Sequence, residues 1–231
     1  MIELTYFSDE VGTWNTVEQL RLGREAGATG IEARSKLLGH DINDLTDEAA
    51  GVLKKYLEDK DMRLAIVGSG VGKCNLDDPD EVALNHTRFA RMCELAHFFD
   101  TKVIRVFAGW NRLFRDEKKE IWDTDAELPR IKAFFEPILD LAAKENVVLG
   151  LEPEYDTNAA TCEHMSRVFE ALGNPQEFGV AWDVVNSTRK TGELPLPNGY
   201  DKIRGRVVHM HVKPDSKGTI ETVADLSLIH I

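Results

Sequence analysis

Three segments in the second half of the chain share one grammar: an apolar run that ends on an ionisable side chain. VVLGLEPE (147–154) closes on Glu152 just before Pro153, FGVAWDVVN (178–186) reaches Asp183, and RVVHMHVKPD (206–215) reaches His211. Strand bodies this apolar belong mainly to parallel sheets covered on both faces. In parallel α/β folds the functional site lies beyond the carboxyl ends of the strands. The pattern therefore constrains the chain to a parallel α/β architecture and sets Glu152, Asp183 and His211 on one rim of it.

The rest of the chain extends the alternation. Residues 2–7, 29–33, 62–67 and 102–107 read as four earlier strands. Helical periodicity fills the gaps. One pattern starts at Thr16, runs through Val17, Leu20 and Arg24, and stops at Gly27. A second, over 45–59, sets Leu45, Ala49, Val52, Leu53, Tyr56 and Leu57 on one face. Residues 79–99 begin with Pro79 behind two aspartates, a favourable first turn. Further helices are expected over 126–145 and over 161–172, the latter closed by Gly173 and Pro175. The run from Asn186 to Ile203 reads as a polar loop whose prolines and glycines leave room only for a short helix at 200–203.

Seven β-α units in strict alternation mean a parallel sheet. Glu152 and Asp183 are 31 residues apart, and Asp183 and His211 are 28 apart. A (β/α)8 TIM barrel of ~250 residues allots roughly 31 to each unit. No GxGxxG follows the first strand, which argues against a dinucleotide-binding open sheet. The expectation is a single TIM-barrel domain over 1–225, truncated at its C-terminal side, since an eighth strand has no counterpart before Asp225. The tail LSLIHI (226–231) matches the in-frame translation of a transposon adapter used for sequencing libraries and is expected to be non-native.

Composition narrows the partners. The chain has 28 basic and 40 acidic residues, a net charge of −12, with the acids scattered through the helical segments. Nucleic acid is not an expected partner, because duplex binding needs a basic face. No apolar run approaches the ~20 residues that span a bilayer, so no membrane partner is expected either. Cys74, Cys93 and Cys162 are an odd number without metal-type spacing and read as reduced thiols, which suits a cytoplasmic protein. A homo-oligomer is left open.

The loop GSGVGKCNLDD after the third strand imitates a phosphate loop but fails its spacing. Val67 stands where the first glycine belongs, and Cys74 stands where Ser or Thr should follow the lysine. Its glycines let a long strand-to-helix loop bend over the barrel mouth, with Lys73 free to meet an anionic or a polyol ligand. Arg105, inside the fourth strand, must reach a carboxylate or line a polar pocket; a structural ion pair and a ligand contact remain equal readings.

Glu152, Asp183 and His211 form an oxygen and nitrogen set suited to Mn²⁺, Co²⁺, Zn²⁺ or Mg²⁺, with no thiolate to bias it towards structural zinc. His209 lies two residues before His211 and so points to the same side of its strand, one layer lower. It reads equally well as a hydrogen-bonded core histidine.

The order and spacing of SGVGKCNLDD, IRVF, LEPE, WDVVN and HMHVKPD resemble the xylose isomerase-like barrel superfamily, the sugar phosphate isomerase/epimerase group, over essentially 1–225. The resemblance implies a divalent metal held by Glu152, Asp183 and His211 and by a second glutamate from an eighth strand. It implies proton transfer next to the carbonyl of a small sugar or keto-polyol through an enediolate. Glu152 would then be ligand and acid/base, while His209, Lys213, Arg105 and Lys73 would hold substrate oxygens. The usual H-x-K-D is altered here, with Pro214 inserted before Asp215. A keto-inositol dehydratase would use the same apparatus. A noncatalytic sugar-binding barrel is the reading from outside enzymology, and the endonuclease built on this barrel is disfavoured by the acidic charge and by only seven histidines.

Overall fold

The computed structural model describes residues 3–189 and 191–213. Its seven strands are β1 (Thr5–Phe7), β2 (Gly30–Ala33), β3 (Arg63–Val67), β4 (Val103–Val106), β5 (Val148–Leu151), β6 (Phe178–Asp183) and β7 (Val207–His211). They form one sheet in sequence order, with every neighbouring pair parallel. The helices between and after them are α1 (Thr16–Glu25), α2 (Asp47–Glu58), α3 (Pro79–Phe98), α4 (Arg112–Arg115), α5 (Thr124–Glu145), α6 (Cys162–Ala171), α7 (Val184–Arg189) and α8 (Tyr200–Ile203). This is the TIM-barrel winding with seven of its units. Among the described residues β1 and β7 do not pair, so the sheet is curled and open at that seam. The curl is nonetheless deep: the His211 ring on β7 lies 4.7 Å from the Phe7 ring on β1. The tail at 226–231 and the expected eighth strand lie outside the described residues.

Strand alternation explains how a wholly buried strand can carry an aspartate. On β6, Phe178 packs outward against Phe135 of α5 and Phe169 of α6, and Trp182 stacks on Tyr200 of α8. Asp183 takes the opposite face, as the two-residue period requires. The register of β6 on β7 pairs Asp183 with His211 and Ala181 with His209, so the two ligand candidates stand side by side.

Local signals fix the helix starts. Asp78 accepts from the backbone N–H groups of Asp80 and Glu81 at 3.0 and 3.2 Å, with Pro79 in the first turn of α3. Asp78→Ala removes this cap and is expected to cost about 1 kcal/mol. A urea titration would report it as a lower midpoint with an unchanged slope.

The glycine loop after β3 has a packing reason. Val71 accepts from Phe107 N at 2.8 Å, and Gly72 accepts from Gly109 N at 2.9 Å, so the loop is laced to the segment that follows β4. Gly72 has φ +88°, and a Cβ there would lie 1.8 Å from the Phe107 carbonyl oxygen. Only glycine fits this approach, and the approach carries the neighbouring Lys73 to the mouth of the curl.

Candidate active site

Strand ends bring Glu152, Asp183 and His211 together. All three are buried, and one donor atom from each lies within 4.8 Å of the others. His211 Nδ1 is 3.2 Å from Glu152 Oε1 and 3.7 Å from Asp183 Oδ2. Its Nε2 faces the other way, 2.8 Å from Glu32 Oε2. Burial disfavours a charged ring, but hydrogen bonding with Asp183, Glu152 and Glu32 outweighs it and holds the His211 pKa well above the ordinary value.

Glu32 was absent from the sequence-derived set, although its strand was placed and was expected to end near it. It lies at the centre of the arrangement. Its Oε1 is 2.9 Å from Arg105 Nη1, and its Oε2 is 3.3 Å from His209 Nε2. Burial raises its pKa, yet Arg105, His209 and His211 together hold the carboxyl below the usual range. With His209 and His211 it makes a second set of three possible ligands. The signal available in the sequence was the same grammar in a shorter strand, GIEA, without a proline to mark its end.

Arg105 reaches Glu152 Oε2 at 3.2 Å as well as Glu32. The rest of its fork donates to the Gly68 and Ser69 carbonyls at 3.0 and 3.3 Å. The rings of Phe7 and Phe107 lie 5.7 and 5.3 Å from its Cζ. The guanidinium is thus committed to protein groups and holds two carboxylates in place.

Asn186 and Glu154 were also missed. Asn186 Nδ2 donates to Glu152 Oε1 at 3.3 Å and to Glu154 Oε2 at 3.4 Å, and its Oδ1 accepts from Lys213 Nζ at 3.2 Å. Lys213 Nζ also lies 2.5 Å from Asp183 Oδ2. Asp183 is placed by its own backbone, because its Oδ1 accepts from Asn186 N at 2.8 Å at the start of α7. Burial raises its pKa, but His211 and Lys213 bring it below the ordinary value. Burial raises the Glu154 carboxyl to about 7 against the pull of Lys73, whose own pKa burial lowers.

The donor set fits a divalent cation. It contains only carboxylate oxygens and imidazole nitrogens. Glu152 Oε2 and Asp183 Oδ2 are buried and, despite the nearby Arg105 and Lys213, accept no well-aligned hydrogen bond. Such oxygens have lone pairs to spare.

The open seam holds a cavity of about 210 Å³ whose lining includes Phe7, Glu32, His209 and His211. A larger one, about 330 Å³, lies on the flank by α4 and the start of α5 and contains none of the strand-end residues. No helix among the described residues is long and apolar enough to cross a membrane.

The fold has clear relatives. At TM-score 0.75 and 18% identity, 98% of this chain superposes on 86% of 3-keto-D-glucoside 4-epimerase, YcjR, from E. coli. At TM-score 0.73 and 16% identity, all of it superposes on 80% of the probable 3-DHS dehydratase AsbF from Bacillus anthracis. At TM-score 0.70 and 17% identity, 92% of it superposes on 74% of a xylose isomerase-like TIM barrel protein from Mycobacterium smegmatis in complex with magnesium. No curated protein matches the sequence. The family profile described as "Xylose isomerase-like TIM barrel" matches residues 20–222. The chain belongs to the xylose isomerase-like TIM barrel family.

Proposed function

We propose that the protein is a divalent-metal-dependent isomerase or epimerase acting on a small sugar or keto-polyol. The observation that carries this reading is the convergence of Glu152, Asp183 and His211 at three consecutive strand ends, with buried lone pairs left over. The epimerase and the magnesium-bound protein among the structural relatives support it.

Glu152, Asp183 and His211 would hold the ion. When bound, the cation polarises the carbonyl and a neighbouring hydroxyl of the sugar. The remaining chemistry belongs to side chains. Glu152 accepts the proton from the carbon next to the carbonyl, and the C–H electron pair moves towards the carbonyl to give an enediolate. Return of a proton to carbon completes the exchange. The second glutamate that the family resemblance assigns to an eighth strand lies outside the described residues. Arg105 positions Glu152, and Lys213 positions Asp183 and Asn186. His209, half-buried beside Glu32, faces the seam cavity and can hold a substrate oxygen there.

The test is a panel of ketoses, hydroxypyruvate and keto-inositols incubated with Mn²⁺ in D₂O. Deuterium should enter carbon next to the carbonyl of one panel member, and the protein should hold Mn²⁺ stoichiometrically. His211→Ala should lose both. Exchange without metal dependence would sink the reading, and a metal-loaded protein silent across the panel would point to a noncatalytic sugar-binding barrel. A dehydratase acting on a keto-inositol is the second reading, favoured by the dehydratase among the relatives. It would announce itself as the absorbance of an enone.

A further inference from the structure

The His211 ring faces two ways. Its Nδ1 serves the set already described, 3.2 Å from Glu152 Oε1 and 3.7 Å from Asp183 Oδ2, while its Nε2 lies 2.8 Å from Glu32 Oε2 on the seam side. His209 Nε2 reaches the same Glu32 oxygen at 3.3 Å. The two rings are 5.1 Å apart at 78° to one another, so each aims an in-plane nitrogen at that oxygen from its own direction. One donor atom from each of Glu32, His209 and His211 lies within 4.8 Å of the others. Glu32 is buried, and Arg105 holds it through Oε1, which leaves Oε2 to the two rings. The seam cavity of about 210 Å³ borders all three residues and has room for water at a fourth corner.

We propose that Glu32, His209 and His211 form a second cation site, selective for Zn²⁺, and that an ion there takes His211 away from Glu152 and Asp183. The site is independent of what the protein uses as substrate.

The donors select the ion. The seam set offers two imidazoles and one carboxylate, against one imidazole and two carboxylates in the first set. Imidazole suits Zn²⁺, whereas a carboxylate-rich set suits Mn²⁺ and Mg²⁺. Tetrahedral zinc with bonds of about 2.1 Å holds its ligand atoms ~3.4 Å apart, and the 3.3 Å between His209 Nε2 and Glu32 Oε2 matches that edge. The exclusion follows from the shared ring. A neutral imidazole has one unprotonated nitrogen, so His211 ligates through Nδ1 or through Nε2 but not through both. Each carboxylate then steadies the ring for the opposite site. With the seam occupied, Nδ1–H donates to Glu152 Oε1; with the first set occupied, Nε2–H donates to Glu32 Oε2. A carboxylate behind a ligating histidine fixes its tautomer and its orientation.

The experiment titrates the full chain with Zn²⁺ and Mn²⁺, reading bound zinc by X-ray absorption and free Mn²⁺ by its paramagnetic resonance signal. Bound zinc should carry two imidazoles in its coordination shell, a count that needs no variant, and its binding should release Mn²⁺. His209→Gln should weaken Zn²⁺ by ~100-fold or more, since even a residue behind a ligand is worth 10–100-fold, while Mn²⁺ stoichiometry and melting temperature hold. Asp183→Asn should do the reverse, losing Mn²⁺ and keeping Zn²⁺; asparagine retains the oxygen that accepts from Asn186 N. A protein that binds no zinc, zinc with a single imidazole, or zinc lost in Asp183→Asn but kept in His209→Gln overturns the proposal and leaves the Mn²⁺-dependent reading standing. Mn²⁺ retained beside bound zinc overturns the exclusion. A native protein that binds Zn²⁺ through two imidazoles but never Mn²⁺ supports the seam site and overturns the Mn²⁺-dependent reading instead.

Discussion

Glu152→Gln is expected to lower exchange of the substrate's carbon-bound proton with solvent by roughly 10³-fold, the size of effect associated with loss of a positioned general base. Glutamine preserves the shape of the side chain and can still accept from Asn186, which donates to Glu152 Oε1 in the native protein. It cannot take a proton from carbon. The measurement is deuterium incorporation into the best ketose of the panel, with thermal melting as the control for folding. Exchange within tenfold of the native rate in a folded, metal-loaded Glu152→Gln protein would remove Glu152 from the role of base.

The second large effect concerns stability. Arg105 is buried between Glu32 and Glu152, and both carboxylates are equally inaccessible. Arg105→Leu would leave two buried carboxylates with only the His211 ring between them to offset their charge. Breaking a buried pair by removing one partner costs about 3–5 kcal/mol. The pH dependence has a definite sign. Glu32 has its folded pKa held below the ordinary carboxylate value, so its contribution is present above roughly pH 4 and is lost as pH falls. The penalty of Arg105→Leu should therefore be largest at neutral pH and shrink in acid, where the stranded Glu32 carboxylate protonates. Urea unfolding at pH 7 and pH 4 measures both halves of the expectation. A loss below 1 kcal/mol at pH 7 would mean that water already reaches these groups.

The frame of the molecule was legible because it is periodic. Buried parallel strands are short apolar runs, covering helices carry a period near 3.6, and both patterns survive without knowledge of the partner surfaces. All seven strands were read from the residues, and β6 and α8 coincide with their expected spans. The helix α7 was not foreseen, since Val184–Arg189 is six residues with Asn, Ser and Thr inside it. It starts where Asp183 caps it, a contact visible only once that side chain's direction is known. The short α4 was not foreseen either, since four residues capped by Asn111 carry no periodicity.

In the site, the three strand-end residues could be read because each terminates a hydrophobic segment. Glu32 could have been read the same way but stands one residue inside β2, where a buried glutamate is recognised only through its partners on β4 and β7. Those partners are 73 and 179 residues further along the chain, beyond the reach of any local pattern. Asn186 and Glu154 depended on loop geometry as well as strand order.

The elbow between β6 and α7 has a thermodynamic corollary. Asp183 is held through one oxygen by the amide of Asn186, three residues further on, and presents its other oxygen towards Lys213 and His211. Its rotamer is thus chosen when a tight strand-to-helix turn forms, long before any ligand arrives. The side-chain entropy surrendered by this donor is a folding cost and not a binding cost. A ligand meeting the rim finds Asp183 already aimed and has only the remaining groups to organise.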